Sequence, residues 1–235
     1  MKTRQIFAIG GKFIVDLWQA PVLQKHLLSL ADMPEPRVCY IGTATGENPH
    51  DTEVFYRSMN RHGCRIGHLN LFEPHTEDFE DYLLGHDIIY VAGGSTRNML
   101  TVWRDWGLDT ALKAAWREGV ILSGTSAGAI CWFEACITDS LPSELRPLDC
   151  LGFLPGSACT HYDVRPDRPT TFRALIGDGT LPGPGLATDD FTALHYIGTE
   201  LREVVSARNG ACAYLIERDG GGTRETPLPT RLIGE

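Results

Sequence analysis

The stretch that decides the fold is Gly119-Val120-Ile121-Leu122-Ser123-Gly124-Thr125-Ser126-Ala127-Gly128, near the middle of a chain of 235 residues. Its apolar run at 120–122 predicts a buried strand, and the small residues after position 126 predict the start of a helix. The pattern between them, G-x-S-x-G, places a serine on a sharp turn from strand to helix. Gly124 and Gly128 leave room there, where a side chain would clash. The stretch therefore predicts an α/β fold that exposes the hydroxyl of Ser126.

Apolar strand-like runs alternate with helix-period segments on both sides of this stretch. Strands that are apolar on both faces and separated by helices indicate a mostly parallel sheet sandwiched between layers of helices. The predicted strands are 5–9, 37–41, 65–69, 87–92 and 119–123. The predicted helices are 52–61, 77–84, 97–103, 108–118 and a stretch that begins at residue 127.

Beyond about residue 141 prolines and glycines become frequent, and the predicted strands are short. These strands are 185–188, 192–196, 203–206 and 213–217. The last two flank Asn209-Gly210, a pair that suits the tight turn of an antiparallel hairpin. Because no linker, repeat or low-complexity segment divides the sequence, we expect a single α/β domain over residues 1–235, with a C-terminal antiparallel hairpin.

Composition excludes several classes of partner. The formal net charge is −9, from 21 basic and 30 acidic residues, and an acidic surface neither neutralises nucleic-acid phosphates nor docks on anionic membranes. No apolar run reaches the roughly 18 residues of a spanning helix, and Gly10-Gly11-Lys12 interrupts the apolar run near the N-terminus. The seven cysteines form no C-x-x-C pair, which favours free thiols in a reducing compartment. We expect a cytoplasmic protein without nucleic-acid or membrane partners, cofactor or metal.

A second glycine loop, Gly93-Gly94-Ser95-Thr96, follows the strand predicted at 87–92. Loops after neighbouring parallel strands meet at one edge of a sheet, so we expect this loop to lie beside Ser126. A glycine amide of the loop, paired with the amide of Ala127, would then form an oxyanion hole. The alternative is that Ser95 or Thr96 only caps a helix.

A serine nucleophile needs a base, usually a histidine, and the base needs an orienting carboxylate. Of eight histidines, His161 is the first candidate, because it ends a strand-like run and opens a charged loop. His195, inside a predicted strand, is the second candidate. The candidate carboxylates are Asp139, Asp163, Asp189 and Asp190. For the last two, turn chemistry is a sufficient alternative explanation.

Four motifs in this order carry a resemblance to a known family. They are Ala92-Gly93-Gly94-Ser95-Thr96, Gly124-Thr125-Ser126-Ala127-Gly128-Ala129, Thr160-His161-Tyr162 and Asp189-Asp190-Phe191-Thr192-Ala193-Leu194. With them the chain resembles, over nearly its whole length, the peptidase E family of serine peptidases, the dipeptidase E group that also contains cyanophycinase. The resemblance implies a fold like class I glutamine amidotransferases (flavodoxin-like), with a mostly parallel sheet between helices.

The resemblance also implies roles for the residues of the four motifs. Ser126 would be the nucleophile and His161 the base. The oxyanion donors would be the amides of Gly94 and Ala127. No metal is needed in such a mechanism, and we expect none.

The third catalytic residue stays open, because the family uses two patterns. One pattern falls on Asp139, downstream of the serine, and the other falls on Asp190, where the family often has a glutamate. Both would then act on His161, one directly and one in support. Arg168, with Arg165 as the second choice, would bind an acidic side chain of the substrate, since a guanidinium group forms bidentate hydrogen bonds with a carboxylate.

The resemblance implies a serine-type exopeptidase that acts on short peptides. The expected substrate is a dipeptide with an N-terminal aspartate, cleaved through an acyl-enzyme on Ser126. Two alternatives remain: a cyanophycinase-like hydrolase of aspartyl-arginine units, and a non-catalytic small-molecule-binding module on the same fold. The expected partner is a small peptide, and the expected state is a monomer or homodimer.

Overall fold

The computed structural model describes residues 3–11, 21–141 and 144–234. The helices in these ranges are α1 (Pro21–Ser29), α2 (Pro49–Met59), α3 (Phe79–Leu84), α4 (Thr96–Trp106), α5 (Leu108–Arg117), α6 (Ala127–Ile130) and α7 (Asp167–Gly177). The strands are β1 (Gln5–Ile9), β2 (Arg37–Ile41), β3 (Arg65–Leu69), β4 (Ile88–Val91), β5 (Ile121–Thr125), β6 (Phe133–Thr138), β7 (Arg146–Asp149), β8 (Leu154–Cys159), β9 (Gly185–Thr188), β10 (Thr192–Ile197), β11 (Glu200–Ser206), β12 (Ala213–Asp219), β13 (Gly222–Pro227) and β14 (Thr230–Leu232).

The first sheet has the order β14-β11-β10-β1-β5-β4-β2-β3. Its half from β1 to β3 is parallel, and β10 joins β1 in the antiparallel direction. The central strands β1, β4 and β5 are buried along almost their whole length, which is typical of strands covered on both faces. The mixed α/β fold expected from the alternating pattern is confirmed.

A second sheet, with the order β13-β12-β9-β8-β6-β7, was not expected from the sequence. The strands β6, β8 and β9 are parallel neighbours, and antiparallel strands flank them on both sides. The helix predicted from residue 127 ends at Ile130, and the chain then enters β6 at Phe133. A short buried apolar run has no periodicity that separates helix from strand, so the pattern could not reveal this change.

The C-terminal hairpin exists and both strands predicted for it form, but their predicted pairing with each other was wrong. The predicted strand 203–206 lies in β11 of the first sheet, whereas 213–217 lies in β12 of the second sheet. Asn209-Gly210 therefore lies where the chain crosses between the sheets. The hairpin is formed by β12 and β13, whose turn contains Gly220 and Gly221 with φ of 55° and 97°.

Three apolar clusters hold these layers together. The largest joins residues of both sheets to α4 and α5 and contains Trp103 and Trp132, whose ring centroids are 6.3 Å apart. A second packs α1 and α2 on the other face of the first sheet, around Phe7 and Phe55. A third packs α7 on the second sheet through Phe172. None of the described helices is long and apolar enough to cross a membrane.

Candidate active site

Ser126 lies on the turn between β5 and α6, in a backbone conformation that L-residues rarely adopt. Its φ is 54° and its ψ is −112°. Such a conformation costs about 1–3 kcal/mol and persists only where surrounding contacts impose it. The Ser126 amide donates a hydrogen bond of 3.0 Å to the carbonyl of Ile9 on β1, which is one such contact. The turn lifts the side chain out of the sheet at its carboxyl edge.

Two glycines make the turn sterically possible, as the sequence predicts. A Cβ atom on Gly124 would lie 2.3 Å from the carbonyl oxygen of Gly128. A Cβ atom on Gly128 would lie 2.3 Å from the carbonyl oxygen of Val91. Backbone atoms cannot move aside as a flexible side chain can, so the helix start packs against β4 and β5 only without these side chains.

A continuous line of hydrogen bonds joins Ser126, His161 and Asp190. The Nε2 atom of His161 is 2.7 Å from the Oγ atom of Ser126. The Nδ1 atom of His161 is 2.6 Å from the Oδ1 atom of Asp190. Both bonds form when the ring proton is on Nδ1, so that Nδ1–H donates to the carboxylate and Nε2 accepts from the hydroxyl. The Asp190 side chain is 1% exposed and that of His161 is 25% exposed, so the line runs from the interior to an open edge.

The strand order explains why two carboxylates lie on either side of the segment that carries His161. His161 follows β8, which lies between β6 and β9 in the second sheet. Asp139 directly follows β6, and Asp190 is the second residue after β9. Both aspartates therefore flank the histidine at the same carboxyl edge, one on each side.

Only Asp190 reaches the ring of His161. The Oδ2 atom of Asp139 instead accepts hydrogen bonds from Arg165 Nη1 at 2.9 Å and from Arg168 Nη2 at 3.0 Å. Burial works to raise the pKa of Asp139, but the charge of Arg168, with further hydrogen bonds and Arg165, outweighs it and lowers the pKa. Asp139, the alternative orienting acid that the resemblance implies, thus forms an ion-pair cluster with Arg165 and Arg168. These are the two arginines expected to bind the acidic substrate.

The two arginines differ in their surroundings. The Arg168 side chain is only 3% exposed, and its Nε and Nη1 atoms have no hydrogen-bond partner among the described residues. The Arg165 side chain is 42% exposed and is also paired with Asp167. Arg168 therefore holds unfilled donors in a buried position, and Arg165 presents its charge to solvent.

Gly11 makes room for the histidine–aspartate pair, a role that sequence reasoning missed. A Cβ atom there would lie 2.1 Å from Asp190 Oδ1 and 2.7 Å from the ring of His161. The Gly11 carbonyl also accepts a hydrogen bond of 3.1 Å from the amide of Phe191. The signal was a Gly-Gly pair at the end of the first strand, a place where backbone often approaches another group closely.

Asp163, another candidate carboxylate, supports Asp190 through its backbone. Its Oδ1 atom accepts a hydrogen bond of 2.9 Å from the Asp190 amide, and its Oδ2 atom forms an ion pair with Arg208. Burial works to raise the pKa of Asp163, but the hydrogen bonds from Arg208 and from that amide outweigh it, so the pKa is lowered. The guanidinium of Arg208 also lies 5.5 Å from the ring centroid of Phe191. These contacts fix the turn that carries Asp190.

The remaining candidates lie away from Ser126 Oγ or serve the fold. The Nε2 atom of His195, in β10, is 2.9 Å from the amide oxygen of Gln5, and burial lowers the pKa of this histidine. The carboxylate of Asp189 accepts a hydrogen bond of 2.9 Å from the amide of Cys212. Neither residue joins the hydrogen-bond line. Among the described residues, no group of three or more His, Cys, Asp or Glu side chains is arranged to hold a metal ion.

The Gly93-Gly94 loop lies against the serine. A Cβ atom on Gly93 would be 3.1 Å from the Cβ atom of Ser126. Gly94 has a φ of 140°, and a side chain there would meet the carbonyl of Ala44 at 2.3 Å. In the described part of the chain, neither the Gly94 amide nor the Ala127 amide donates a hydrogen bond. The helix-capping alternative also holds, because Ser95 Oγ accepts a hydrogen bond of 3.3 Å from the Asn98 amide.

A serine on a strained elbow, bonded to a histidine that is bonded to a buried aspartate, is the arrangement of Ser-His-Asp hydrolases. The class of protein that this fold and this site define is a hydrolase with a mixed α/β fold of two sheets flanked by helices. The chain belongs to peptidase family S51, whose sequence model matches residues 6–204. The expected relationship to peptidase E is thereby confirmed.

Individual relatives agree with this assignment. The chain is 40% identical over 231 residues to "Uncharacterized peptidase YgaJ" of Bacillus subtilis (strain 168), a match that covers 98% of this chain and 100% of that protein. A solved peptidase from an acI-B1 Actinobacterium has a TM-score of 0.71 at 17% identity, over 96% of this chain and 95% of that one. A putative peptidase E from Listeria monocytogenes EGD-e has a TM-score of 0.62 at 19% identity, over 88% and 98%. The two solved structures share the fold.

Proposed function

We propose that this chain is a serine-type exopeptidase that forms an acyl-enzyme on Ser126. The observation that carries the proposal is the hydrogen-bond line from Ser126 Oγ through His161 to the buried carboxylate of Asp190. In this role His161 Nε2 removes the hydroxyl proton while Oγ attacks the scissile carbonyl carbon. Asp190 holds the Nδ1–H tautomer and stabilises the imidazolium that forms.

The tetrahedral intermediate then places its oxyanion between the amides of Gly94 and Ala127. Both amides lack a hydrogen-bond partner in the described chain, and Ala127 begins a helix, so both are available to donate to the developing charge. Collapse of the intermediate breaks the C–N bond, and His161 returns its proton to the leaving amine. A water molecule, deprotonated by His161, next attacks the Ser126 ester and releases the first product with a free carboxylate.

The proposed substrates are short peptides, in particular dipeptides with an N-terminal aspartate. Arg165 and Arg168 lie in the loop and helix that follow His161, on the side of Asp139. Arg168 retains two unfilled donors, and the Arg165 charge is partly open to solvent. A substrate carboxylate would pair directly with the exposed Arg165, and the buried charge of Arg168 would add to the attraction.

A fluorophosphonate probe tests the proposal against the alternative of a non-catalytic binding module. An activated serine attacks the phosphorus atom, whereas an ordinary serine hydroxyl does not react at a comparable rate. We expect covalent labelling at Ser126, located by peptide mass spectrometry. Intact protein that stays unlabelled after long exposure would support a binding module instead.

Replacement of His161 should abolish activity, and replacement of His195 should not. His161→Ala removes the base that acts as a unit with the serine, so we expect a loss about as large as that from removing the serine, several powers of ten in kcat. His195→Ala is a matched control, because this histidine is buried in the sheet and bonded to Gln5. Steady-state rates on aspartyl-leucine measure both variants. Loss in His195→Ala with retention in His161→Ala would reverse the assignment.

Loss of an arginine should act on acidic substrates only. We expect Arg168→Met to raise KM for aspartyl-leucine by about 10- to 150-fold, the scale of one charge-assisted hydrogen bond, with little change for alanyl-leucine. Arg165→Met should act in the same direction. Arg173→Met is the control, because that side chain is paired with Glu225 on β13. An equal loss on both dipeptides would show that the arginine supports the loop rather than reading the substrate.

A further inference from the structure

Asp139 lies near the proposed catalytic residues but takes no part in the hydrogen bonds that join Ser126, His161 and Asp190. It follows β6 directly, and β6 is the parallel neighbour of β8, which leads to His161. Neighbouring strands lie about 4.8 Å apart, so the backbone of Asp139 runs beside that of His161. Asp190 lies on the opposite side of β8.

The residues on either side of Asp139 attach it to the loop that follows β4. Thr138 Oγ1 is 3.4 Å from Thr96 Oγ1, and Ser140 Oγ accepts a hydrogen bond of 3.3 Å from the Arg97 amide. Both partners lie in the first turn of α4, just after the glycine loop that packs on Ser126. The segment that carries Asp139 is therefore attached both to the strand that leads to the proposed base and to the helix that follows the proposed oxyanion loop.

One of the two carboxylate oxygens of Asp139 accepts no hydrogen bond from the other described residues. Arg165 and Arg168 both donate to Oδ2, and no other residue in the described ranges donates a hydrogen bond to Oδ1. The side chain is 47% exposed, so Oδ1 is accessible to a ligand. The two guanidinium groups also keep the carboxyl ionised, since they lower its pKa.

We propose that Oδ1 of Asp139 binds the α-ammonium group of the peptide's first residue. The inference rests on the proposed function, because it places that residue's carbonyl carbon at Ser126. The ammonium nitrogen of an N-terminal residue lies about 2.5 Å from its own carbonyl carbon. A charge-assisted bond of about 2.8 Å then puts the anchoring oxygen about 5 Å from the scissile carbon. Asp139 follows the strand next to β8, which leads to His161, and the Nε2 atom of His161 is 2.7 Å from Ser126 Oγ, so the anchor would lie near the scissile bond.

This anchor explains why cleavage would remove one residue from the amino end. A carboxylate fixed at this distance leaves room for one residue between the ammonium group and the attacked carbonyl. An N-terminal aspartate carries both an ammonium and a side-chain carboxylate. The carboxylate of Asp139 would bind the ammonium group, and the guanidinium groups of Arg165 and Arg168 beside it would bind the side-chain carboxylate. One cluster therefore recognises both groups.

The test compares a free and a blocked amino terminus. The probes are aspartyl-leucine and N-acetyl-aspartyl-leucine, and the readout is leucine release by the full chain. Wild-type protein should prefer the free amine, and Asp139→Asn should lower kcat/KM for it about 10- to 100-fold more than for the acetylated peptide, mainly through KM. Asparagine still accepts from both arginines but carries no charge. Asp167→Asn, which removes a second carboxylate from Arg165, should change both substrates by the same factor.

Two further measurements make the outcome decisive. Fluorophosphonate labelling of Ser126 should proceed at the same rate in wild type and Asp139→Asn, which shows that the catalytic centre is intact. With wild type alone, kcat/KM for aspartyl-leucine relative to the acetylated peptide should fall above about pH 8, where an α-ammonium group loses its proton. An equal loss on both peptides, or no pH-dependent difference between them, would overturn the anchor while leaving the serine mechanism standing. Wild type that neither labels nor cleaves would overturn the proposed function itself.

Discussion

Ser126→Ala should abolish peptide hydrolysis and leave the fold intact. The hydroxyl is the atom that would form the acyl bond, and removing the serine of such a triad costs roughly six powers of ten in kcat. What remains comes from the oxyanion donors and substrate binding, which do not need the hydroxyl. Alanine keeps the Cβ atom, so packing of the turn against Gly93 changes little. Steady-state kinetics on aspartyl-leucine, with circular dichroism and a thermal melt, measure both parts of the prediction.

Ser123→Ala is the matched control for this experiment. Ser123 lies on β5, the strand that leads to Ser126, is fully buried, and donates its hydroxyl to the Phe7 carbonyl at 2.8 Å. Its loss should lower the free energy of unfolding by about 1–3 kcal/mol, because a buried carbonyl loses a donor, while turnover persists. A Ser126→Ala protein with near wild-type turnover would end the serine mechanism. A Ser123→Ala protein that melts normally but has no turnover would count against the identification of Ser126 as the nucleophile.

The elbow could be predicted from the sequence because its causes are local. The glycines, the serine and the apolar strand are neighbours in the chain. A side chain at Gly124 or Gly128 would collide with backbone atoms of the turn itself or of the adjacent strand β4. The parallel strands of the first sheet could be predicted from the same kind of local signal. Apolar runs indicated the strands, and helical periodicity indicated the segments between them. The charged loop expected after His161 is short, because α7 begins at Asp167, and Pro169 is compatible with the first turn of a helix.

The second sheet and the choice of carboxylate depend on contacts that no local pattern contains. Asn209-Gly210 shows that the chain turns, but not that Ser206 pairs in one sheet and Ala213 in the other. Asp139 and Asp190 likewise follow the two neighbours of β8 at the same edge of the sheet, one and two residues beyond the ends of their strands. Which of them reaches His161 is decided by side-chain geometry, with Gly11 clearing the space on the Asp190 side. Sequence reasoning could therefore narrow the orienting acid to two residues and no further.

Asp190→Asn should lower kcat by about four powers of ten, the loss known for this change in a Ser-His-Asp triad. An asparagine amide can turn its NH₂ group towards Nδ1 of His161, which moves the ring proton to Nε2. A protonated Nε2 cannot accept the proton of Ser126, so the nucleophile stays inactive although the side chains keep their places. The single-turnover rate of acylation by a p-nitrophenyl ester of an N-acetylated amino acid measures this step without any contribution from an ammonium anchor.

Asp139→Asn makes the same chemical change on the other side of β8, where the carboxylate is bonded to arginines, and we expect it to retain most of the acylation rate. Slow acylation in Asp139→Asn together with a normal rate in Asp190→Asn would assign the orienting role to Asp139, and would mean that the ring of His161 turns away from Asp190 when substrate binds.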